Sequence, residues 1–353
     1  MNRAHFLKNI ESVWYNRFLR GMMHKKVSAE DFFNEIRKGN ISYLGRAITL
    51  VESTKKADQL LALKLIQHCL PFTGNSIRIG ITGPPGVGKS TFIEVFGNYL
   101  ISLGKKVAVL AIDPSSSVNR GSILGDKTRM EKLATNRNAF IRPSPAGNTL
   151  GGVAQMTKES IVLCEAAGFD VILIETVGVG QSETLVFSMV DFFLLLHLAG
   201  SGDELQGIKR GIVEMADGIV INKAEGNHKQ AAMLAKKELE NALHFYPPKE
   251  NHWKPKVNLC SAIHDQGIVE VWEMITEFLV LTQQNGYFES KRAKQNKDWL
   301  KKSITELLLH DFFACNKVKS NIKTMEKRIE HQQLSPFDAA IQLIELYKNK
   351  KEE

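Results

Sequence analysis

The sequence predicts an α/β fold, a mostly parallel sheet flanked by helices, with helical extensions at both ends of the chain. Three observations carry that reading. Between residues 76 and 285 short apolar runs alternate with helical patterns: "SIRIGITG", "KVAVLAID", "FDVILIET", "DFFLLLHLAG", "DGIVINKAE" and "KPKVNLCSA". Continuous apolar runs, as opposed to alternating ones, belong to strands covered on both faces, as in a parallel sheet. The first run ends in a glycine-rich turn, Gly83-Pro84-Pro85-Gly86-Val87-Gly88-Lys89-Ser90. That turn fits GxxxxGK[ST] between a strand and a helix, the context that makes it a P-loop. Before residue 76 and after residue 285 only helical spacing is found.

The elements follow in order. In the N-terminal segment, 1–75, Ser28 with Asp31 three positions on reads as the N-cap of "AEDFFNEIRK", which Gly39 can close. A second stripe, Leu60, Leu63, Ile66 and Leu70, recurs at helical spacing and stops at Pro71, so three short packed helices are expected. The central segment, 76–285, carries the sheet, and ligands are expected at the C-terminal ends of its strands. The C-terminal segment, 286–353, reads as a helical dimerisation arm. There Ser303 with Glu306 resembles a capping box ahead of "LLLHDFF", and Ser335 with Pro336 opens "FDAAIQLIELY". Between them Cys315, Val318, Ile322, Met325 and Ile329 repeat at spacings of three and four, a narrow seam made to lie against one other helix. That other helix belongs either to a second copy of the chain or to the same chain folded back.

Composition sets limits on partners. With 353 residues, 43% of them hydrophobic, the chain can bury a sizeable core. Its four cysteines (Cys69, Cys164, Cys260, Cys315) lie far apart with no CxxC pair, as reduced thiols of an intracellular protein do. The net charge of +8 is spread along the chain, densest in "KRAKQNKDWLKK" and the "KNKKEE" tail, so it reads as solvated helical surface and not as a nucleic-acid site. No apolar run approaches the roughly 20 residues a membrane-spanning helix needs. Residues 1–26 are basic but lack a secretory apolar core, and their few serines count against a mitochondrial leader.

The P-loop frees backbone N–H groups to converge on phosphate oxygens, aided by the helix N-terminus. Lys89 is expected at the β and γ phosphates and Ser90 on Mg²⁺, with Thr91 following. The base is read elsewhere. After "GIVI" come Asn222-Lys223-Ala224-Glu225, close to the NKxD guanine reader, with an acid one methylene longer. Ser261-Ala262-Ile263 fall where a backbone N–H meets guanine O6, so GTP is favoured over ATP. Asp113 ends the "VAVLAID" strand, and Glu175 begins Glu175-Thr176-Val177-Gly178, an ExxG version of the DxxG switch. Both acids are candidates to organise Mg²⁺. No glutamine directly follows the ExxG motif, so unaided turnover should be slow.

Taken together, "GPPGVGKST", "DPSSS", "GSILGDKTRM", "NTLGGVA", "CEAAGFDVILIETVGVGQSE", "VDFFLLL", "GDELQGIKRGI" and "NKAEG" occur in an order that resembles the MeaB/ArgK family of GTPases, over about residues 28 to 347. The resemblance implies a homodimeric P-loop GTPase of the SIMIBI class that acts as a chaperone for adenosylcobalamin-dependent methylmalonyl-CoA mutase or a related acyl-CoA mutase, gating cofactor delivery and protecting the enzyme. It implies a cytoplasmic protein, or a mitochondrial-matrix one in a eukaryote. Carried over by motif, Asp126 joins Asp113 in the Mg²⁺ and first-switch region, Glu175 lies in the second switch, and Asp203 and Lys209 lie in a third. The resemblance thus puts Lys89, Asp126, Glu175, Asp203 and Lys209 among the catalytic residues. Glu225 in place of Asp, Asn119 and Arg120 in the first switch, and His197 within an apolar strand depart from the family pattern; His197 reads as a core residue. Three rival readings remain: a metal-insertion GTPase, which lacks a Cys/His cluster here, an ATP/GTP-dependent kinase of amino-acid transport, and a non-catalytic nucleotide-held dimer.

Overall fold

The computed structural model describes residues 27–112, 130–143, 150–176, 182–199 and 210–349. The chain divides into two compact units, Met1–Phe278 and Leu279–Glu353. In the first unit three helices come first, α1 (Ala29–Arg37), α2 (Ile41–Val51) and α3 (Lys56–Cys69). Ser28 caps α1 with a full capping box, its Oγ accepting from the Asp31 N–H while Asp31 accepts from the Ser28 N–H. Gly39, at φ 78°, turns the chain out of α1.

Seven parallel strands follow: β1 (Ile77–Thr82), β2 (Val107–Ile112), β3 (Ala139–Arg142), β4 (Val171–Thr176), β5 (Phe192–Leu198), β6 (Gly218–Asn222) and β7 (Lys256–Leu259). Their order across the sheet is β3-β2-β4-β1-β5-β6-β7. Helices α4 (Lys89–Ser102), α5 (Glu131–Ala134), α6 (Leu150–Ala166), α7 (Ser182–Phe187), α8 (Arg210–Met215), α9 (Lys229–Leu243) and α10 (Ile268–Gln284) intervene, and the division into units falls within α10.

Alternate residues of each strand face opposite layers, which is why the strands are apolar throughout. Ala108, Leu110, Ile112, Ile172, Ile174 and Phe193 pack under α1–α3, α6 and α7. On the other face Phe192 meets Phe278 of α10 edge-on at 5.0 Å, and Phe96 of α4 lies 6.2 Å from Trp272. Phe92, Phe96, Phe192 and Phe278 are all fully buried, so truncating any one to alanine removes about 3–5 kcal/mol. Gly80 of β1 has a specific role here. A Cβ on it would stand 2.7 Å from Val186 and 2.9 Å from Phe193, so its absence lets α7 close onto the middle of the sheet.

The second unit holds the end of α10, then α11 (Tyr287–Ala314), α12 (Asn316–Glu330) and α13 (Pro336–Lys348). Ser335 caps α13 by accepting from the Asp338 N–H at 3.1 Å.

One strand is added to the expected pattern and three expectations need correcting. The strand β3 was not expected, because "AFIR" is too short to show a period. Ser303 does not cap a helix; it lies inside the 28-residue α11, where the helix formers before it keep the backbone helical. The stripe Leu60 and Leu63 of α3, with Leu70 just beyond its end, is exposed, and Ala62, Leu65 and Cys69 enter the core. That helix is apolar on several sides, and the docking of α1 and α2 decides which side is covered. The seam of α12 is buried within its own unit, with Val318 and Met325 packed on Ala339 and Leu343 of α13 and on Phe312. It is therefore not free for a second copy. The exposed apolar row lies elsewhere, at Leu300, Ile304, Leu307 and Leu308 of α11.

Candidate nucleotide site

The end of β1 is tied to the end of β4 by a hydrogen bond of 2.8 Å between the buried hydroxyls of Thr82 and Thr176. Beyond it the loop turns with Gly86 and Gly88 in left-handed conformations, φ 79° and 91°. A Cβ on Gly88 would lie 2.9 Å from Nδ2 of Asn222, so this position requires glycine for space as well as for φ. Helix α4 starts at Lys89, which points its unpaired N–H groups and positive dipole end at the loop. These are the features of a phosphate cradle.

Lys89 Nζ donates to the carbonyls of Gly83 at 2.8 Å and Pro84 at 3.1 Å, so its ammonium lies within the loop. Burial pushes this ammonium below the usual lysine range, while the carboxylates of Glu175 and Glu183 act the other way. Ser90 Oγ stands 3.5 Å from Oε1 of the buried Glu175. A hydroxyl and a carboxylate oxygen so placed are the hard donors that Mg²⁺ takes.

A second cluster forms at the ends of β6 and β7. Asn222 is a strut: its Nδ2 donates to the Val87 carbonyl at 2.9 Å, and its Oδ1 accepts from the Ala262 N–H at 3.2 Å. Lys223, at φ 60°, donates to the Gly86 carbonyl at 2.9 Å. The Ala224 N–H donates to the Cys260 carbonyl at 3.0 Å, and the Ser261 N–H to the Gln266 carbonyl at 3.0 Å. P-loop, Asn222-Lys223 turn and Ser261-Ala262-Ile263 turn thus form one hydrogen-bonded body, with Ile263 exposed at its surface.

Within that body two acceptors are left over. Glu225 Oε2 and Ser261 Oγ are buried and have no hydrogen-bond partner. A buried polar atom without a partner costs about 1–3 kcal/mol, so this part of the site favours a ligand that brings hydrogen-bonding groups. Guanine brings two N–H donors on one edge, and the carboxylate of Glu225 has the chemistry to take them. Behind it the Cys260 thiol is pushed up to about 12 by burial and by the charges of Glu225 and Glu270, so it stays protonated and unreactive.

The structure therefore gathers Gly83 through Thr91, Glu175, Asn222, Lys223, Glu225, Ser261, Ala262 and Ile263 at the C-terminal ends of β1, β4, β6 and β7. Asp113, Asp126, Asp203 and Lys209 lie outside the described residues. Sequence reasoning missed two things. Asn222 acts on the loops, not as a free reader of the base, which no motif reveals. Glu183 is buried on α7; a lone acid in the first turn of the apolar "SETLVF" was the available signal.

A sequence profile described as "Methylmalonyl Co-A mutase-associated GTPase MeaB" matches residues 44–317, more than half of the chain. The chain belongs to the MeaB family. As a MeaB-family protein it is a GTPase, built on a parallel sheet with a P-loop. Among its relatives, GTPase ArgK of Escherichia coli is 45% identical over 324 residues, covering 92% of this chain and 98% of ArgK. The mitochondrial methylmalonic aciduria type A homolog of mouse is 45% identical over 323 residues, covering 89% of this chain and 78% of that one. A probable GTPase of Mycobacterium tuberculosis is 47% identical over 323 residues, covering 92% and 96%. The MeaB-family fold is also that of a crystal structure titled "LAO/AO transport system kinase", at 38% identity and TM-score 0.72, covering 92% of this chain and 99% of that one.

Proposed function

We propose that this MeaB-family GTPase serves as a chaperone for an adenosylcobalamin-dependent acyl-CoA mutase, methylmalonyl-CoA mutase first among them, gating cofactor loading and protecting the enzyme. One observation carries the proposal: a guanine-side cluster with unpartnered acceptors, joined by Asn222 to a P-loop, in a chain whose family description names that mutase. In this reading the loop from Gly83 to Thr91 holds the phosphates, with Lys89 exchanging its carbonyl partners for β and γ oxygens. Glu225 and the Ser261-Ala262-Ile263 turn hold the guanine. Mg²⁺, when bound, would neutralise phosphate charge; Ser90 and Glu175 would hold it, helped by Asp113 and Asp126. Asp203 and Lys209 form the segment that answers the partner, which keeps unaided turnover slow.

The C-terminal segment 286–353, within the second unit, is the dimerisation arm in this proposal, but through α11 and not through α12. Leu300, Ile304, Leu307 and Leu308 make one exposed helical stripe, the kind of face a second copy covers. Ile304→Glu with Leu307→Glu should therefore give monomers in sedimentation, and an intact dimer would remove α11 from the contact. A cytoplasmic location is proposed for a bacterial source and the mitochondrial matrix for a eukaryotic one. Among the described residues no helix is long and apolar enough to cross a membrane.

The partnership is tested by measuring phosphate release from GTP with and without purified methylmalonyl-CoA mutase. Acceleration of at least about 10-fold is expected, the scale on which completed phosphoryl-transfer sites operate. No acceleration and no co-sedimentation would exclude this mutase. Phosphate appearing on a protein instead of in solution would favour the kinase reading.

A further inference from the structure

On the surface, at the opposite end of the sheet from the nucleotide cradle, α8, the C-terminal half of α9 and residues 244–258 bound a groove of about 980 Å³. Lys256, which opens β7, forms part of its wall, and Val213 and Glu214 of α8 stand just before β6. None of the residues assigned to phosphate, cation or base lines it. A concave site of this size has room for a ligand or for a segment of chain. We propose that the groove docks an acidic, extended segment of a partner protein, one that also carries an apolar side chain.

Charge selects the sign of the partner. Five lysines line the groove, Lys236, Lys237, Lys249, Lys254 and Lys256, against two acids, Glu214 and Glu240. Three of the lysines are engaged: Lys249 with Asp217 at 3.2 Å, Lys236 with Glu240 at 3.7 Å, and Lys256 with Glu277. Lys237 and Lys254 are exposed and make no ion pair among the described residues, and of the lining acids only Glu214 remains against them. An acidic chain laid along the groove supplies both with counter-ions. A compact anion such as phosphate is a poorer match. Phosphate sites converge backbone N–H groups on the ion. Here α8 and α9 present their C-terminal, carbonyl ends instead, and Lys249 Nζ is already drawn onto the carbonyls of Met215 at 3.2 Å and Ala216 at 2.6 Å.

Exposed apolar side chains extend the footprint beyond that of a small ion. Met233, Lys237, Asn241 and Phe245 follow at intervals of four, which puts them on one side of α9 and its last turn. The Phe245 N–H still bonds to the Ala242 carbonyl, at 3.1 Å. Met233 is 56% exposed and Phe245 89%, more than any other large apolar side chain among the described residues. Phe245 sits between His244 and Tyr246, both in the lining, and so stands at the mouth of the groove. An aromatic ring left in water beside unpaired lysines is unfavourable on an isolated surface, and it is what a binding anchor requires. A lipid surface is the weaker match, because lysines set on concave walls shared with Glu214 and Glu240 do not meet one flat anionic plane together. The proposal is independent of both GTP hydrolysis and the mutase partnership.

The test is fluorescence anisotropy of a fluorescein-labelled peptide, glutamates interrupted by one leucine, titrated with the full-length protein at low salt. Saturable binding is expected. Lys237→Glu with Lys254→Glu should weaken it about 10-fold or more, since like charges then face each other, and Phe245→Ser should weaken it about 5-fold. Lys319→Glu with Lys323→Glu makes the same change of net charge at exposed positions of α12 and should leave the affinity within about 2-fold of wild type. GTP turnover, which no groove residue serves, should match wild type in each variant and checks folding. Should the groove double variant fail to fold, Phe245→Ser decides alone: weaker binding supports the proposal, and unchanged affinity contradicts it. No saturable binding by wild type, or equal weakening by the α12 variant, would overturn the proposal. So would displacement of the peptide by equimolar inorganic phosphate at constant ionic strength, which marks a small-anion site, or protein that sediments with anionic phospholipid vesicles yet ignores the peptide.

Discussion

The two ends of the sheet treat buried polar groups in opposite ways. At the N-terminal ends of the strands every such group named here is paired. Glu165 of α6 accepts from Ser76 Oγ at 2.6 Å, the Gly74 N–H at 2.9 Å and Arg78 Nε at 2.8 Å. Asp191 accepts from the Arg78 N–H at 2.8 Å. Asp217 accepts from the Phe193 N–H at 3.0 Å and from Lys249 Nζ at 3.2 Å. At the C-terminal ends Glu225 Oε2 and Ser261 Oγ are buried without partners, and Lys89 carries a charge that burial opposes. A complete network fixes the strands, whereas an incomplete one waits for a ligand. The difference teaches where to expect stability and where to expect function from one sheet.

Substitutions at the two ends should therefore separate binding from stability. The largest effect is expected from Lys89→Ala, which removes the charge meant for the β and γ phosphates. GTP turnover should fall by more than about 100-fold while the melting temperature of the nucleotide-free protein holds or rises; retained turnover would break the contrast. At the other end Glu165→Ala leaves Arg78 and Ser76 without their buried partner and should cost about 3 kcal/mol of stability. Folded Glu165→Ala protein should still bind GTP normally, as calorimetry can check.

A smaller effect appears on acidification. Burial works against the Glu165 charge, but Arg78, Ser76 and Gly74 outweigh it and hold this carboxyl below its usual 4.5. A depressed carboxyl contributes stability that is present above its unfolded value and lost as pH falls through its folded value. Denaturant midpoints should thus decline below about pH 4.5, and Glu165→Gln should flatten that decline. An acid limb unchanged by the substitution would show that other carboxylates govern it.

Much of this was legible in the sequence, for identifiable reasons. The P-loop, the Asn222-Lys223-Ala224-Glu225 turn and the continuous apolar strands are local patterns, and local patterns survive folding. The caps at Ser28 and Ser335 are equally local and are seen in place. What failed depended on which neighbour arrives. The α3 stripe was misread because helix docking chose Leu65 and Cys69 over Leu60 and Leu63, and the α12 seam found its partner in α13 of the same unit. Pairing of buried groups is likewise invisible in sequence. Nothing in "NKAEG" distinguishes the fully engaged Asn222 from Glu225, whose second oxygen has no partner.

That oxygen is the most direct point of attack on the account. Competition of ATP against GTP should be measured by calorimetry, with Mg²⁺ present, for wild type, Glu225→Asp and Glu225→Gln. Wild type should prefer GTP, Glu225→Asp should keep or sharpen the preference, and Glu225→Gln should lose about 10-fold or more of it, the worth of a charged hydrogen bond. An unchanged preference in Glu225→Gln would contradict the claim that the unpartnered carboxylate is there to read guanine.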